Sequence, residues 1–201
     1  RVMLPSLRYD GTHPITVEAI VTAVSQNVDK KPDLPHMTRH WSSVVSNNFP
    51  GGVDLQVAPY GFKFSMECPS DGRARRWVVA ESFVSPFRTQ RAHLAGIFDG
   101  RSVRLYVNGQ LLGDQPANKE DYGPSPRPFM IGVGHIGGNF RGIVDEVRLS
   151  KSARYVANFA SQKRFDPDES TLALYHFDAG QGSVLHDASG NGHHGQIYGA
   201  Q

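Results

Sequence analysis

Oxygen donors are densest near the C-terminus, in Asp187-Ala188-Ser189-Gly190-Asn191-Gly192. A carboxylate, an amide and several main-chain carbonyls on one short loop are what a hard cation such as Ca²⁺ takes, in a shell of about 6–8 oxygens. Asp187 and Asn191 are the leading donors. Asp178, in His176-Phe177-Asp178-Ala179-Gly180, is a further one. The same residue types cap turns with no ion present, so the loop has two readings. Four histidines, His176, His186, His193 and His194, crowd the same segment. No HExxH or cysteine pair accompanies them. His193 and His194 are adjacent and would face opposite ways in a strand, so zinc is disfavoured.

A second chemistry is stacking, in which sugar rings lie on aromatic faces and polar side chains fix the hydroxyls. Trp41, Tyr60, Phe87 and Tyr122, together with a loop over 25–40, are the candidate contributors. Trp77 and most phenylalanines alternate within apolar runs and are expected in a core, and Tyr106 fits a cross-strand partner. Arg73, Arg75, Arg76, Arg88 and Arg91 form a basic group suited to an acidic glycan or acidic protein. Such a run also serves simply as a solvated face. Cys68 has no setting that would lower its pKa, and as the only cysteine it allows no internal disulfide.

These residues must be positioned by strands. In His93–Gly109 two apolar segments flank Asp99-Gly100, and Val103, Leu105 and Val107 alternate with Arg104 and Tyr106, the period of a half-buried strand. Asp-Gly, then Asn108-Gly109, supply the positive φ of tight hairpins, so the stretch reads as a β-meander. Ile15–Ala23 is rich in β-branched residues, is apolar on both faces near Ala19–Val21, and is expected mid-sheet. Further strands are expected over 41–47, 53–57, 62–67, 77–84, 110–113, 129–134, 140–149, 172–177 and 184–186. Only Ser152–Ala160 reads as helical.

The 201 residues, with 21 Gly and 13 Pro scattered between apolar runs, fit an all-β, two-sheet antiparallel sandwich with almost no helix. No linker divides residues 1–201, so a single domain is expected. The net charge of +2 gives no bulk case for nucleic acid. No apolar run approaches the roughly 20 residues of a membrane span. The opening residues lack signal-peptide character, and their abrupt start is expected of a piece of a longer chain.

HLAGIFDG at 93–100, LYVNG at 105–109, MIGVG at 130–134 and FRGIVDEVRLS at 140–150 stand in an order that resembles the laminin G-like branch of the concanavalin A-like lectin/glucanase superfamily. ITVEAIV at 15–21 is similar to that family's "T-x-E-A-W-V" strand, with Ile20 where an aromatic is usual. The resemblance implies a jelly-roll sandwich. It also implies a structural Ca²⁺ joining the first and last strands, with Asp145 of the "D-E-V-R" strand as a donor beside Asp187. One departure stands out. LYHFDAGQGSVLHDASGNGHHGQIYGA, which usually opens such a domain, here closes it at 174–200. Circular permutation is expected over the start of a tandem copy, because a complete sandwich needs that strand and sandwich termini lie close together. The layout is similar to modules at the ends of large multidomain bacterial proteins of planctomycete type.

Glucanases of the superfamily carry an E-x-D-x-E run, which is missing here. Asp145-Glu146 are adjacent and face opposite ways, and Glu120-Asp121 sit in a loop. The expected role is therefore a non-catalytic adhesion or binding module for carbohydrate or an extracellular protein, located outside the cell, at its surface or in the periplasm. A glycan-active hydrolase or lyase with another carboxylate set, or a spacer in a surface protein, are the alternatives.

Overall fold

The structure, a computed structural model, describes residues 1–23, 41–58, 60–69, 76–83, 90–134 and 138–199. The first strands are β1 (Val2–Leu4), β2 (Ile15–Ala23), β3 (Ser42–Ser46), β4 (Val53–Ala58) and β5 (Gly61–Glu67). Next come β6 (Trp77–Ser82), β7 (Arg91–Phe98), β8 (Ser102–Val107), β9 (Gln110–Pro116) and β10 (Phe129–Ile131). The chain continues with β11 (Gly138–Asn139), β12 (Gly142–Ser150), β13 (Thr171–Tyr175), β14 (Val184–Leu185) and β15 (Gly195–Ile197). One sheet runs β14-β15-β1-β10-β3-β4-β5-β6, with β11 also on β3, and the other runs β13-β12-β2-β7-β8-β9. All pairs are antiparallel except the two-residue β11–β3 pair. This is the all-β sandwich expected.

The meander forms as its turn residues dictate. β7 and β8 are joined through Asp99-Gly100, where Gly100 has φ 85° and Asp99 Oδ1 accepts the N–H groups of Arg101 and Ser102. Asn108 and Gly109 both take positive φ and join β8 to β9, as a tight hairpin requires. β2 sits mid-sheet between β12 and β7, which accounts for its two apolar faces. Ile15, Val17, Ala19 and Val21 enter the main core with Leu94, Phe98, Leu105 and Val147 of the same sheet, and meet Val53, Leu55, Phe62, Phe64 and Met66 of the other.

The sheets pack closely at Gly96. A Cβ there would lie 2.2 Å from the Phe64 ring. Gly96→Ala is expected to cost about 1–3 kcal/mol by overpacking, read as a lower urea midpoint. An unchanged midpoint would refute this contact.

The stretch 152–160, expected as helix, contains none. With the rest of 151–170 it forms an irregular strap across the outer face of the six-stranded sheet. Partners outside the stretch replace helical hydrogen bonds: Thr16 Oγ1 bonds the Ser152 carbonyl and the Arg154 N–H, and the Phe159 N–H donates to the Gly109 carbonyl, while Asn158 Oδ1 accepts the Leu111 N–H of β9. Tyr155 stacks on Phe159 at 3.4 Å, and both pack on Tyr106. Among the described residues the only helical turn is a 3₁₀ turn at Lys119–Asp121. Among the described residues no helix is long and apolar enough to cross a membrane.

Under the strap lies a buried ionic cluster. Glu18, on the outward side of β2, accepts Arg148 Nε at 2.7 Å and Arg148 Nη2 at 3.1 Å, one bond on each oxygen. It also accepts Tyr155 Oη at 2.8 Å and His93 Nε2 at 3.2 Å. Burial alone would push the Glu18 carboxyl up, but the bonds from His93 and Arg148 and the Arg148 charge hold it below the usual range. Cys68 is buried too, and burial pushes its thiol up, as its unreactive sequence setting implies.

Candidate functional site: the outward face of the nine-stranded sheet

Alternation along β4 and β5 turns Val53, Leu55, Phe62, Phe64 and Met66 inward and leaves Asp54, Gln56, Lys63 and Ser65 outward. Cross-strand register makes rows of them. Ser46, Asp54 and Ser65 stand side by side, and so do Ser43, Gln56, Lys63 and Glu81. Asp54 Oδ2 accepts Ser43 Oγ at 2.9 Å and Asn48 Nδ2 at 2.7 Å, while Oδ1 has no hydrogen-bond partner among the described residues. Gly134 lies against this row, where a Cβ would be 2.0 Å from Ser43 Oγ. Burial pushes the Asp54 carboxyl up to about 7, against the Ser43 hydrogen bond and the Lys63 charge, which pull it down. Burial pushes the Lys63 ammonium down, against the Asp54 and Glu81 charges.

An aromatic group flanks this polar floor. Lys63 Nζ sits 4.5 Å from the centroid of the Trp41 ring. Trp41 meets Tyr60 edge-on at 5.6 Å, and Tyr60 stacks with Phe83 at 6.3 Å. Trp41 is 6% exposed, Tyr60 is partly exposed and Phe83 is 54% exposed. An apolar ring open to water beside a partly exposed ammonium is suited to a polyhydroxylated ring, with stacking from Phe83 and a hydrogen-bond donor from Lys63.

Of the residues proposed from sequence to contact a ligand, the structure therefore joins Trp41 and Tyr60. It separates Tyr122, which is buried against Tyr9 and Phe98, with Oη donating to the Tyr9 carbonyl at 2.9 Å. Its ring fills the space over Gly11, so it is a core side chain and not a surface platform. Arg73, Arg75, Arg88, Phe87 and the loop 25–40 lie outside the described residues. Arg76 pairs with Asp121, and Arg91 with Asp145. Trp77, expected in the core, is only partly buried and shares the outward side of β6 with Glu81.

Sequence reasoning missed Asp54, Lys63 and Phe83. Phe83 closes an apolar run and so reads with the core aromatics. The signal was Glu81, two residues earlier: residues two apart share a strand face, and a charge marks that face as outward.

The candidate cation donors are not gathered. Asp145 bonds Arg91 at 2.7 Å, and Asp178 bonds Arg164 at 2.8 Å. Asp187 Oδ1 accepts the N–H groups of Leu174 (3.0 Å) and Ser189 (2.9 Å), and Oδ2 that of His193 (2.9 Å). Asn191 turns its amide N–H groups to the carbonyls of Thr171 and Leu172. No three His, Cys, Asp or Glu side chains among the described residues form a metal-holding group. The donors as placed do not fit a Ca²⁺ shell of about 6–8 oxygens. Of the histidines, His186 and His194 meet edge-on at 5.4 Å, while His176 faces Glu146, His193 bonds Ser6, and His194 Nδ1 accepts the Asp187 N–H.

Comparison with known proteins follows the same fold. Residues 2–158 match the Laminin_G_3 family profile, described as concanavalin A-like lectin/glucanases superfamily. No curated protein matches the sequence. Among solved structures, a Bacteroides ovatus protein with an inferred carbohydrate-binding role superposes with a TM-score of 0.62 at 18% identity, over 97% of this chain and 55% of its own. The present chain thus spans about half the length of that protein. The mouse laminin alpha1 chain domains LG4-5 superpose with a TM-score of 0.50 at 13% identity, over 80% of this chain and 41% of theirs. The CBM40 of the Ruminococcus gnavus IT-sialidase gives 0.50 at 15%, over 73% and 80%. At these identities the likeness is one of fold. With more than half of its length matched by the profile, the chain belongs to the Laminin_G_3 family of the concanavalin A-like lectin/glucanases superfamily.

Proposed function

We propose that this domain is a non-catalytic carbohydrate-binding module acting outside the cell, and that its ligand lies on the outward face of the nine-stranded sheet. The observation that carries the reading is the Trp41–Tyr60–Phe83 group with partly exposed Lys63 beside it, held in place by the buried polar row of Ser43, Asp54 and Gln56 beneath. Phe83 and Tyr60 form the platform for a sugar ring, and Lys63 supplies a hydrogen-bond donor at its edge. The carbohydrate-binding proteins of the same fold support this reading. Glycoside hydrolysis needs two carboxyls reaching either side of the scissile bond, about 5–9.5 Å apart. Among the described carboxylates of this face Glu81 is exposed while Asp54 and Glu67 are buried, at 1% and 2% exposure, so no exposed pair is presented, which favours binding without cleavage.

We further read 174–200 as the permuted opening of this same domain. The family match ends at residue 158, yet β13 completes one sheet, and β14 and β15 extend the other beside β1.

A glycan array followed by calorimetry tests the binding reading. Tyr60→Ala and Phe83→Ala are each expected to weaken binding of the array's best glycan at least tenfold, as loss of a stacked aromatic costs on the order of 1–3 kcal/mol. Unchanged affinity in the double variant, or steady release of reducing sugar by the native protein, would refute the reading.

A further inference from the structure

We propose that residues 187–193 are a cation-independent clasp between the two sheets, in which the Asp187 carboxylate makes by hydrogen bonds the closure that a bound Ca²⁺ would make. The clasp starts on β13, the edge strand of the six-stranded sheet. An edge strand presents a row of main-chain groups with no neighbouring strand to take them. Here the loop takes them in order. The Leu174 N–H goes to Asp187 Oδ1, and the Leu174 carbonyl accepts the Ala188 N–H at 2.8 Å. The Leu172 carbonyl accepts Ser189 Oγ and Asn191 Nδ2, and the Thr171 carbonyl accepts Asn191 Nδ2.

The other end of the clasp belongs to the nine-stranded sheet. Asp187 closely follows β14, and His193, whose N–H meets Asp187 Oδ2, precedes β15. Tyr175 Oη, from β13, donates to the His193 carbonyl at 2.5 Å, and the His193 ring bonds Ser6 near the start of the chain. One carboxylate thus holds a donor from β13 of the six-stranded sheet and two from the loop that joins β14 to β15 of the other. Asp187 is 8% exposed, and its two oxygens already accept three N–H groups. With three N–H groups on its roughly four acceptor sites the carboxylate has little left for a metal, and oriented main-chain dipoles offset its charge. Asn191 is used in the opposite sense to a cation ligand: its amide donates, and the carbonyls of residues 171 and 172 that a cation would seek are the acceptors.

The test is thermal unfolding of the native chain in EDTA and in millimolar CaCl₂, beside Asp187→Asn. The native Tm is expected to agree within about 1 °C in the two conditions, since a ligand that does not bind shifts nothing. Asp187→Asn replaces an acceptor with a donor among three N–H groups and is expected to lower Tm by about 4 °C or more in both conditions. If that variant does not fold, Asn191→Ala stands in, with an expected calcium-independent loss of about 2 °C. Amide exchange gives a further readout: the Leu174, Ser189 and His193 N–H groups are expected to stay protected in EDTA. A chelator-induced fall in the native Tm that either variant abolishes, or loss of that protection in EDTA, would overturn the clasp.

Discussion

Glu18→Gln is expected to destabilise the protein by about 3–5 kcal/mol at pH 7, the range for a buried ion pair that loses one partner. Arg148 is 3% exposed, and its guanidinium is fixed by Glu18, the Asp166 carbonyl and the Phe165 ring, 4.5 Å from the centroid. The substitution leaves that charge in place with no counter-charge bonded to it, and strains the bonds from Tyr155 and His93. Urea denaturation of Glu18→Gln, Arg148→Met and the double variant measures this. The double variant is expected to recover part of the loss, because removing both charges is less costly than stranding one. The pH dependence has a defined sign. Glu18 is held below its usual range in the folded state, so its contribution is present above the unfolded carboxylate pKa. It disappears as pH falls through the lowered folded value. A loss under about 1 kcal/mol would mean that the strap stays docked without this cluster.

Asp54→Asn is expected to act in the opposite direction, stabilising the protein by about 2–3 kcal/mol at pH 8. The folded pKa of Asp54 is raised to about 7 from 3.8, so between those values the folded state holds a proton that the unfolded chain releases. Native stability therefore falls as pH rises from about 4 to about 7, and the charged, buried carboxylate is a standing cost above that window. An asparagine side chain keeps the shape and carries no charge, so the decline is expected to be shallower in the variant. Chemical denaturation over pH 4–8 checks it, and an identical pH slope in the two proteins would contradict it. The same variant removes the charge that opposes desolvation of Lys63, beside Trp41. Weaker glycan binding by a more stable protein is the expected joint outcome, since residues kept at a cost in stability are commonly kept for binding.

The fold was largely legible beforehand because its instructions are local. Asp99-Gly100 and Asn108-Gly109 impose positive φ wherever they occur, and the β7–β8–β9 meander follows. The helix expected over 152–160 did not form, because the strap takes its main-chain partners from Thr16 Oγ1 and the Gly109 carbonyl and its packing from Tyr106. The candidate site was half legible. Tyr60 lies in the turn between β4 and β5, where an aromatic ring can reach solvent, and Trp41, 6% exposed, packs edge-on beside it. Tyr122 has a similar local setting and is core, because Gly11 and Tyr9, over a hundred residues away, make room for its ring.

Alternation along each strand settles which residues share a face, and turn chemistry settles which neighbours form hairpins. Both are short-range consequences of backbone sterics. Which strands adjoin when they are not consecutive is decided only by closing two sheets over one core. That closure puts β1 between β15 and β10, and sets Arg148 on Glu18 across 130 positions. It also decides the use of each polar group. Asp187 has the composition of a cation ligand, yet its oxygens face main-chain N–H groups of β13 and its own loop. Hydrogen-bond saturation is a property of the folded neighbourhood and has no signature in residue type or spacing.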